Sequence, residues 1–150
     1  MHYVIFKTNQ RYLANFLQNR KLIVSISIVY FAVLIYLMFF AFFRSGTTTE
    51  VNLIPFKTIL SLTVYTFSSG HGIWHWIVNV LGNILAFIPM ALPLHYFLRS
   101  KLNTSFFVLI IILIPVLAEI LQYLFQTGSC DIDDVILNVV GIFLGISLLK

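Results

Sequence analysis

The residues able to do chemistry lie close together near the C-terminus. Four of the five acidic side chains fall there, Glu119, Asp131, Asp133 and Asp134, with Gln122 and Asn138 among them. Glu119 and Asp134 are the raw material of an acid and base pair. The Asp-x-Asp-Asp cluster, Cys130 and the pair His71 and His75, four residues apart, could instead collect a divalent metal. Against that stands a plainer reading, in which two histidines beside Trp74 and Trp76 are interfacial side chains, and defined ligand geometry is missing. No metal and no cofactor is therefore expected.

Composition sets the medium in which this chemistry would happen. The chain has 150 residues, 60% of them hydrophobic and 9% charged, with a mean hydropathy of +0.99. Nine basic and five acidic side chains cannot cover the exterior of a water-soluble protein of this size. An all-α integral membrane protein is expected, as one domain over residues 1–150. The net charge of +4 forms no basic groove interleaved with aromatics, which argues against a nucleic-acid partner. One cysteine excludes an internal disulfide. Cys130 is a single thiol beside acids, which raise rather than lower its pKa, so it is not expected to be catalytic.

Four transmembrane helices are predicted, at about residues 22–43, 74–98, 105–126 and 132–149. The first has no charge, proline or glycine and reads as a retained signal anchor facing lipid. Residues 1–21 form a basic cytoplasmic segment, with a weak apolar spacing at Tyr12, Leu13, Phe16 and Leu17 suited to the membrane surface. Between the first two spans, residues 50–66 form a partly helical external segment, with Pro55 in its first turn. Pro89 and Pro93 loosen the second span, and Pro115 interrupts the third one turn before Glu119.

In the second span Asn79, Gly82, Asn83 and Ala86 share one stripe, and in the fourth Asp134, Asn138, Gly141 and Gly145 do the same. The Gly141 to Gly145 spacing suits close helix contact, within one chain or in a homo-oligomer. With the N-terminus inside, Lys7, Arg11, Arg20, Lys21, Arg99, Lys101 and Lys150 are cytoplasmic, and only Arg44 and Lys57 are external. Both termini are then cytoplasmic and every acidic residue lies toward the outer face. If the last three spans pack together, Asn79, Asn83, Glu119, Gln122, Asp134 and Asn138 converge in an outward-facing polar pocket. The bland alternative is that they are interhelical hydrogen-bond glue, worth about 0.6 kcal/mol per contact.

Taken in order, several segments make the chain resemble the VanZ-like family of small bacterial membrane proteins. They are Asn52-Leu53-Ile54-Pro55-Phe56, Asn79 with Gly82-Asn83-Ile84, Phe87-Ile88-Pro89, Glu119 with Gln122, and Asp131-Ile132-Asp133-Asp134 followed by Asn138 and Gly141. The resemblance implies a multi-pass bacterial plasma-membrane protein and a link to resistance against teicoplanin, a lipid-tailed glycopeptide. Many members carry an arginine in the turn before the acidic cluster. Here that turn reads Gln126-Thr127-Gly128-Ser129-Cys130, which leaves Lys57 or Arg44 as replacements.

The leading expectation is an envelope protein whose pocket, lined or covered by Asn52, Pro55, Phe56, Asn79, Asn83, Glu119, Gln122, Asp131, Asp134 and Asn138, engages membrane lipid, a lipid-linked cell-wall precursor or a lipoglycopeptide. The alternatives are an intramembrane enzyme acting on a lipid headgroup through Glu119 and Asp134, and a small transporter or transporter subunit. No nucleophile motif, phosphate loop or dinucleotide fingerprint supports the enzyme. A polar route for transport through the inner half of the bundle is poorly supplied, since Pro89 to Phe97 and Thr104 to Leu113 contain almost no polar atoms away from the interface.

Overall fold

The computed structural model describes residues 18–40 and 50–149. The basic segment predicted for residues 1–21 falls almost wholly outside these residues, as do Arg44 and the predicted end of the first span. Five helices carry the fold: α1 (Arg20–Phe39), α2 (Lys57–Ser69), α3 (Ile73–Leu98), α4 (Thr104–Leu124) and α5 (Ile132–Leu148). Two short strands, β1 (Val51–Asn52) and β2 (Cys130–Asp131), pair in parallel and set Asn52 opposite Asp131.

The helix ends follow local chemistry. Asn19 caps α1 by accepting from the Leu22 N–H at 3.1 Å, and Asn103 caps α4 through the Phe106 N–H at 2.9 Å. Asp131 caps α5 in the same way, accepting from the Asp133 N–H at 2.9 Å. At α2 the position before the helix is Phe56, at φ 64°, which has no capping side chain of its own. The cap comes from elsewhere in the chain, as described below. Inside α3, residues Ile77–Leu81 open into a π turn, and Ile88–Met90 tighten into a 3-10 turn at Pro89.

α1, α3 and α4 are long and apolar enough to cross a membrane. The predicted fourth span is a helix, but of 17 residues. At 1.5 Å per residue it is roughly 25 Å long, less than a hydrocarbon layer of about 30 Å. Its start is pinned by Asp131, which cannot be drawn deeper without breaking the cap. Polar residues nevertheless enter this helix because it is the most enclosed: Asp133, Val135, Leu137, Asn138, Gly141, Ile142 and Gly145 are all buried.

α5 lies against α3 so closely that two of its glycines have no alternative. A Cβ on Gly141 would strike the Ile84 carbonyl, and one on Gly145 would strike the Ile88 carbonyl and the Ala91 side chain. The GxxxG spacing is thus used inside the chain, between α5 and α3. Below it, Leu34, Phe87, Met90, Leu94, Phe107, Ile111, Ala118 and Ile142 make the core, with contributions from α1, α3, α4 and α5. α1 is tied to α3 by the Tyr30 hydroxyl, which donates to the Ala86 carbonyl at 3.0 Å.

Candidate functional site

Two polar constructions meet at one end of the bundle, where α1 and α4 finish and α3 and α5 begin. The first is a cavity of about 400 Å³. Its polar lining is Asn79, Asn83, Glu119, Gln122, Asp134 and Asn138, with Thr127, Gly128 and Ser129 from the turn after α4. The six residues whose spacing suggested convergence are brought to one space by α3, α4 and α5. Leu34, Leu37 and Met38 of α1, with Ile77, Val78, Leu81 and Leu85 of α3, give it an apolar wall. That wall from α1 was missed in the sequence, because a uniformly apolar helix shows no preferred face.

The π turn of α3 explains how its two asparagines are held. Asn79 Nδ2 donates to the His75 carbonyl at 2.7 Å, and Asn83 Nδ2 donates to the Asn79 carbonyl at 2.9 Å, each four residues back. Asn83 Nδ2 also reaches across to Asp134 Oδ1 at 2.6 Å, joining α3 to α5. Gln122 Nε2 donates to the Met38 carbonyl at 3.2 Å, which fixes the end of α1 against α4. Glu119 is 3% exposed and accepts the Asp131 N–H on Oε2 at 3.2 Å. Asn138 is 2% exposed, and its Oδ1 has no hydrogen-bond donor.

The second construction is a clamp between the segment after β1 and the start of α5. Asp133 is fully buried and accepts the Phe56, Thr58 and Ile59 N–H groups, the last two at 2.8 and 3.0 Å. These are donors that a helix leaves without intrahelical partners, and a carboxylate there also meets the positive end of the helix dipole. Asp131 Oδ2 accepts from the Thr58 hydroxyl at 2.5 Å, and its Oδ1 accepts from Asn52 Nδ2 at 3.0 Å. Asn52 Oδ1 in turn accepts the Ile54 N–H at 3.2 Å, folding the chain into the Pro55 turn.

Asn52, Pro55, Phe56 and Asp131 therefore do not line the cavity. The expected lid at residues 52–56 is a capped turn, with Pro55 and Phe56 exposed. The clamp touches the cavity through one bond, from the Asp131 N–H to Glu119. Sequence spacing does not single out Thr58, and for Asp133, although it lies in the acidic cluster, a one-dimensional pattern gives no sign that it caps another helix. Lys57, one of two proposed stand-ins for the missing arginine, is exposed at the start of α2, and the other, Arg44, lies outside the described residues.

His71 and His75 are both exposed, and the His71 ring bonds to the Ser69 carbonyl at 2.7 Å. Among the described residues no three His, Cys, Asp or Glu side chains are grouped to hold a metal, so the cluster suggested by their spacing is not assembled. Trp76, beside them, has a structural bond instead, donating from Nε1 to the Thr63 hydroxyl at 3.0 Å and tying α2 to α3. Burial raises the Cys130 thiol above its ordinary pKa, and the charges of Glu119 and Asp131 raise it further.

Three membrane-length helices and a partly polar cavity at one end define a helical membrane protein with a binding-sized recess. Within that class, residues 27–150 match the VanZ/LLP1 family, and the chain belongs to it. Protein VanZ of Enterococcus faecium is 36% identical over 70 residues, which are 47% of this chain and 43% of that protein. The match thus spans less than half the length of this relative. No solved structure matches.

Proposed function

We propose that this protein is an envelope component of the bacterial plasma membrane whose cavity engages a lipid-linked or amphiphilic molecule and thereby alters sensitivity to teicoplanin-type lipoglycopeptides. One observation carries the reading: six polar residues from three helices surround a recess whose other wall is apolar. An amphiphile has the same division of surface. Isolated amides and carboxylates in an apolar layer are costly, which favours a use for them beyond holding helices together. The glycopeptide link rests on what the family resemblance implies.

In this reading α1, α3, α4 and α5 all cross the membrane and both termini are cytoplasmic. The seven-to-two bias of basic residues supports that orientation, which turns the cavity and the clamp outward. α5 would cross despite its length because α3 and α4 shield its polar start. Cys130 offers a check on the orientation. A membrane-impermeant maleimide at mildly alkaline pH should label it in intact cells, and labelling only after lysis would reverse the topology.

The functional test replaces Glu119→Gln, Asp134→Asn or Asn138→Ala at matched protein levels in the membrane. Teicoplanin tolerance should fall while vancomycin tolerance changes little; equal or absent effects refute the proposal. Membrane lipid profiles of the same strains decide between binding and catalysis. A binding protein leaves composition unchanged, whereas accumulation of one lipid class in the Glu119→Gln strain would establish an enzyme.

A further inference from the structure

Helix α2 is inside out by the standard of a helix on a water-facing surface. Its threonines are turned to the protein: the Thr58 hydroxyl donates to Asp131, the Thr63 hydroxyl accepts from Trp76 Nε1, and Thr66 is buried. Leu60, Val64 and Phe67 are turned away from it, 60%, 66% and 72% exposed. At about 100° per residue these three fall within about 60° of one another, and the exposed Ser61 and Ser68 occupy the arc beside them. A helix bordered only by water puts its polar residues outward. Here the exposed side is itself divided into an apolar stripe and a hydroxyl edge, with the exposed Lys57 between them. Lys57 is the only Lys, Arg, Asp or Glu between Glu50 and Arg99.

Both ends of α2 are tied to one end of the bundle. Asp131 and Asp133 at the start of α5 hold its first turn. After Ser69 the chain turns through Gly70 and Gly72, at φ 68° and 86°, directly into α3. α3 and α5 begin at the same end, so α2, roughly 20 Å long, runs across that end and not away from it. Trp74, in the first turn of α3, is exposed there, and a tryptophan at the end of a spanning helix favours the headgroup level. α1 and α4 finish at this end in the exposed Phe40 and Phe125. The stripe on α2 thus adjoins the edge of the apolar surface carried by the three membrane-length helices.

We propose that α2 docks on the membrane itself. It lies in the interface of the leaflet at this end of the bundle, with Leu60, Val64 and Phe67 among the acyl chains, Lys57 at the lipid phosphates, and Ser61 and Ser68 toward water. In the orientation proposed above this is the outer leaflet, and the docking depends neither on that orientation nor on what the cavity binds. The bonds from α2 to Asp131 and Asp133 then tie the start of α5 to the headgroup layer.

Nitroxide scanning of the full chain in nanodiscs of phosphatidylcholine and phosphatidylglycerol tests this. In a Cys130→Ser background, with Cys130→Ala as the second background, Leu60→Cys, Val64→Cys, Phe67→Cys, Ser61→Cys and Ser68→Cys are spin-labelled one at a time. Collisions with oxygen, which concentrates among acyl chains, are compared with collisions with a water-soluble nickel chelate. The ratio of oxygen to chelate collisions should be severalfold higher at all three stripe positions than at the two serines. Three positions read the stripe, so a variant that fails to fold leaves two that decide. A ratio equal at all positions, or higher at the serines, overturns the docking. Low collision rates with both reagents along the stripe overturn it in favour of a protein cover, and dipolar broadening between labels then identifies that cover as a second copy of this chain.

Discussion

Replacing Asp133 with asparagine should loosen the start of α2 selectively. The two carboxylate oxygens of Asp133 accept three backbone N–H groups, from Phe56, Thr58 and Ile59. Asparagine keeps the shape and one acceptor oxygen but turns an NH2 group toward donors that need an acceptor. Hydrogen bonds to a charged group contribute about 1.5–3 kcal/mol each, and the favourable meeting of carboxylate and helix dipole adds about 0.3–1 kcal/mol. The three bonds share two oxygens and do not add independently, so a loss of about 2–3 kcal/mol is expected for Asp133→Asn. At 1.4 kcal/mol per decade that is roughly 30- to 150-fold less protection of the affected amides. Hydrogen exchange on the purified full chain reads this directly: the Thr58 and Ile59 amides should speed up by that factor, while amides in the middle of α4 remain as they were. Asp134→Asn, one residue away but directed at Asn83, should leave the α2 amides unchanged. If both variants accelerate α2 equally, or neither does, the interhelical cap is not what holds this segment.

Three further outcomes follow from the same geometry. Gly141→Ala and Gly145→Ala should each lower the unfolding temperature in detergent, by about 1–3 kcal/mol or more of stability. The added Cβ meets a backbone carbonyl of α3 that cannot step aside, whereas Gly82→Ala, with no neighbour closer than 3.9 Å, should be nearly silent. Tyr30→Phe should cost about 0.5–1.5 kcal/mol in the same assay, by removing the donor that joins α1 to the Ala86 carbonyl. The thiolate of Cys130 is suppressed by burial and by neighbouring acids, so its alkylation at pH 7.5 should be slower than that of a free thiol. The rate should still be climbing at a pH where that of a free cysteine has levelled off, and a plateau coincident with the free thiol would contradict the environment found here.

The sequence alone determined the medium, the approximate positions of the helices and which residues are too polar to lie idle in lipid. Each of these rests on local information. An unbroken apolar run needs no tertiary partner to be a helix in a bilayer, and Asn103 or Asp131 caps a helix from the neighbouring residue. The spacing of Asn79, Asn83, Glu119, Gln122, Asp134 and Asn138 also sufficed to place them on facing stripes, because helical periodicity is fixed.

Tertiary structure decided what each polar residue touches. Asp131, Asp133 and Asp134 are nearly adjacent in the chain, yet one binds Asn52 and Thr58, one caps α2 and one meets Asn83. The helical turn points them in different directions, and only the packed neighbours assign a partner to each direction. The Asn52 to Phe56 segment likewise became a clamped turn, because the carboxylate that accepts the amides at the start of α2 belongs to α5. The GxxxG spacing admitted a partner helix within or outside the chain, and the carbonyls of Ile84 and Ile88 fill that place in this fold. Periodicity sets which side of a helix a residue faces, but the distance between two helices is set by the smallest residues on both.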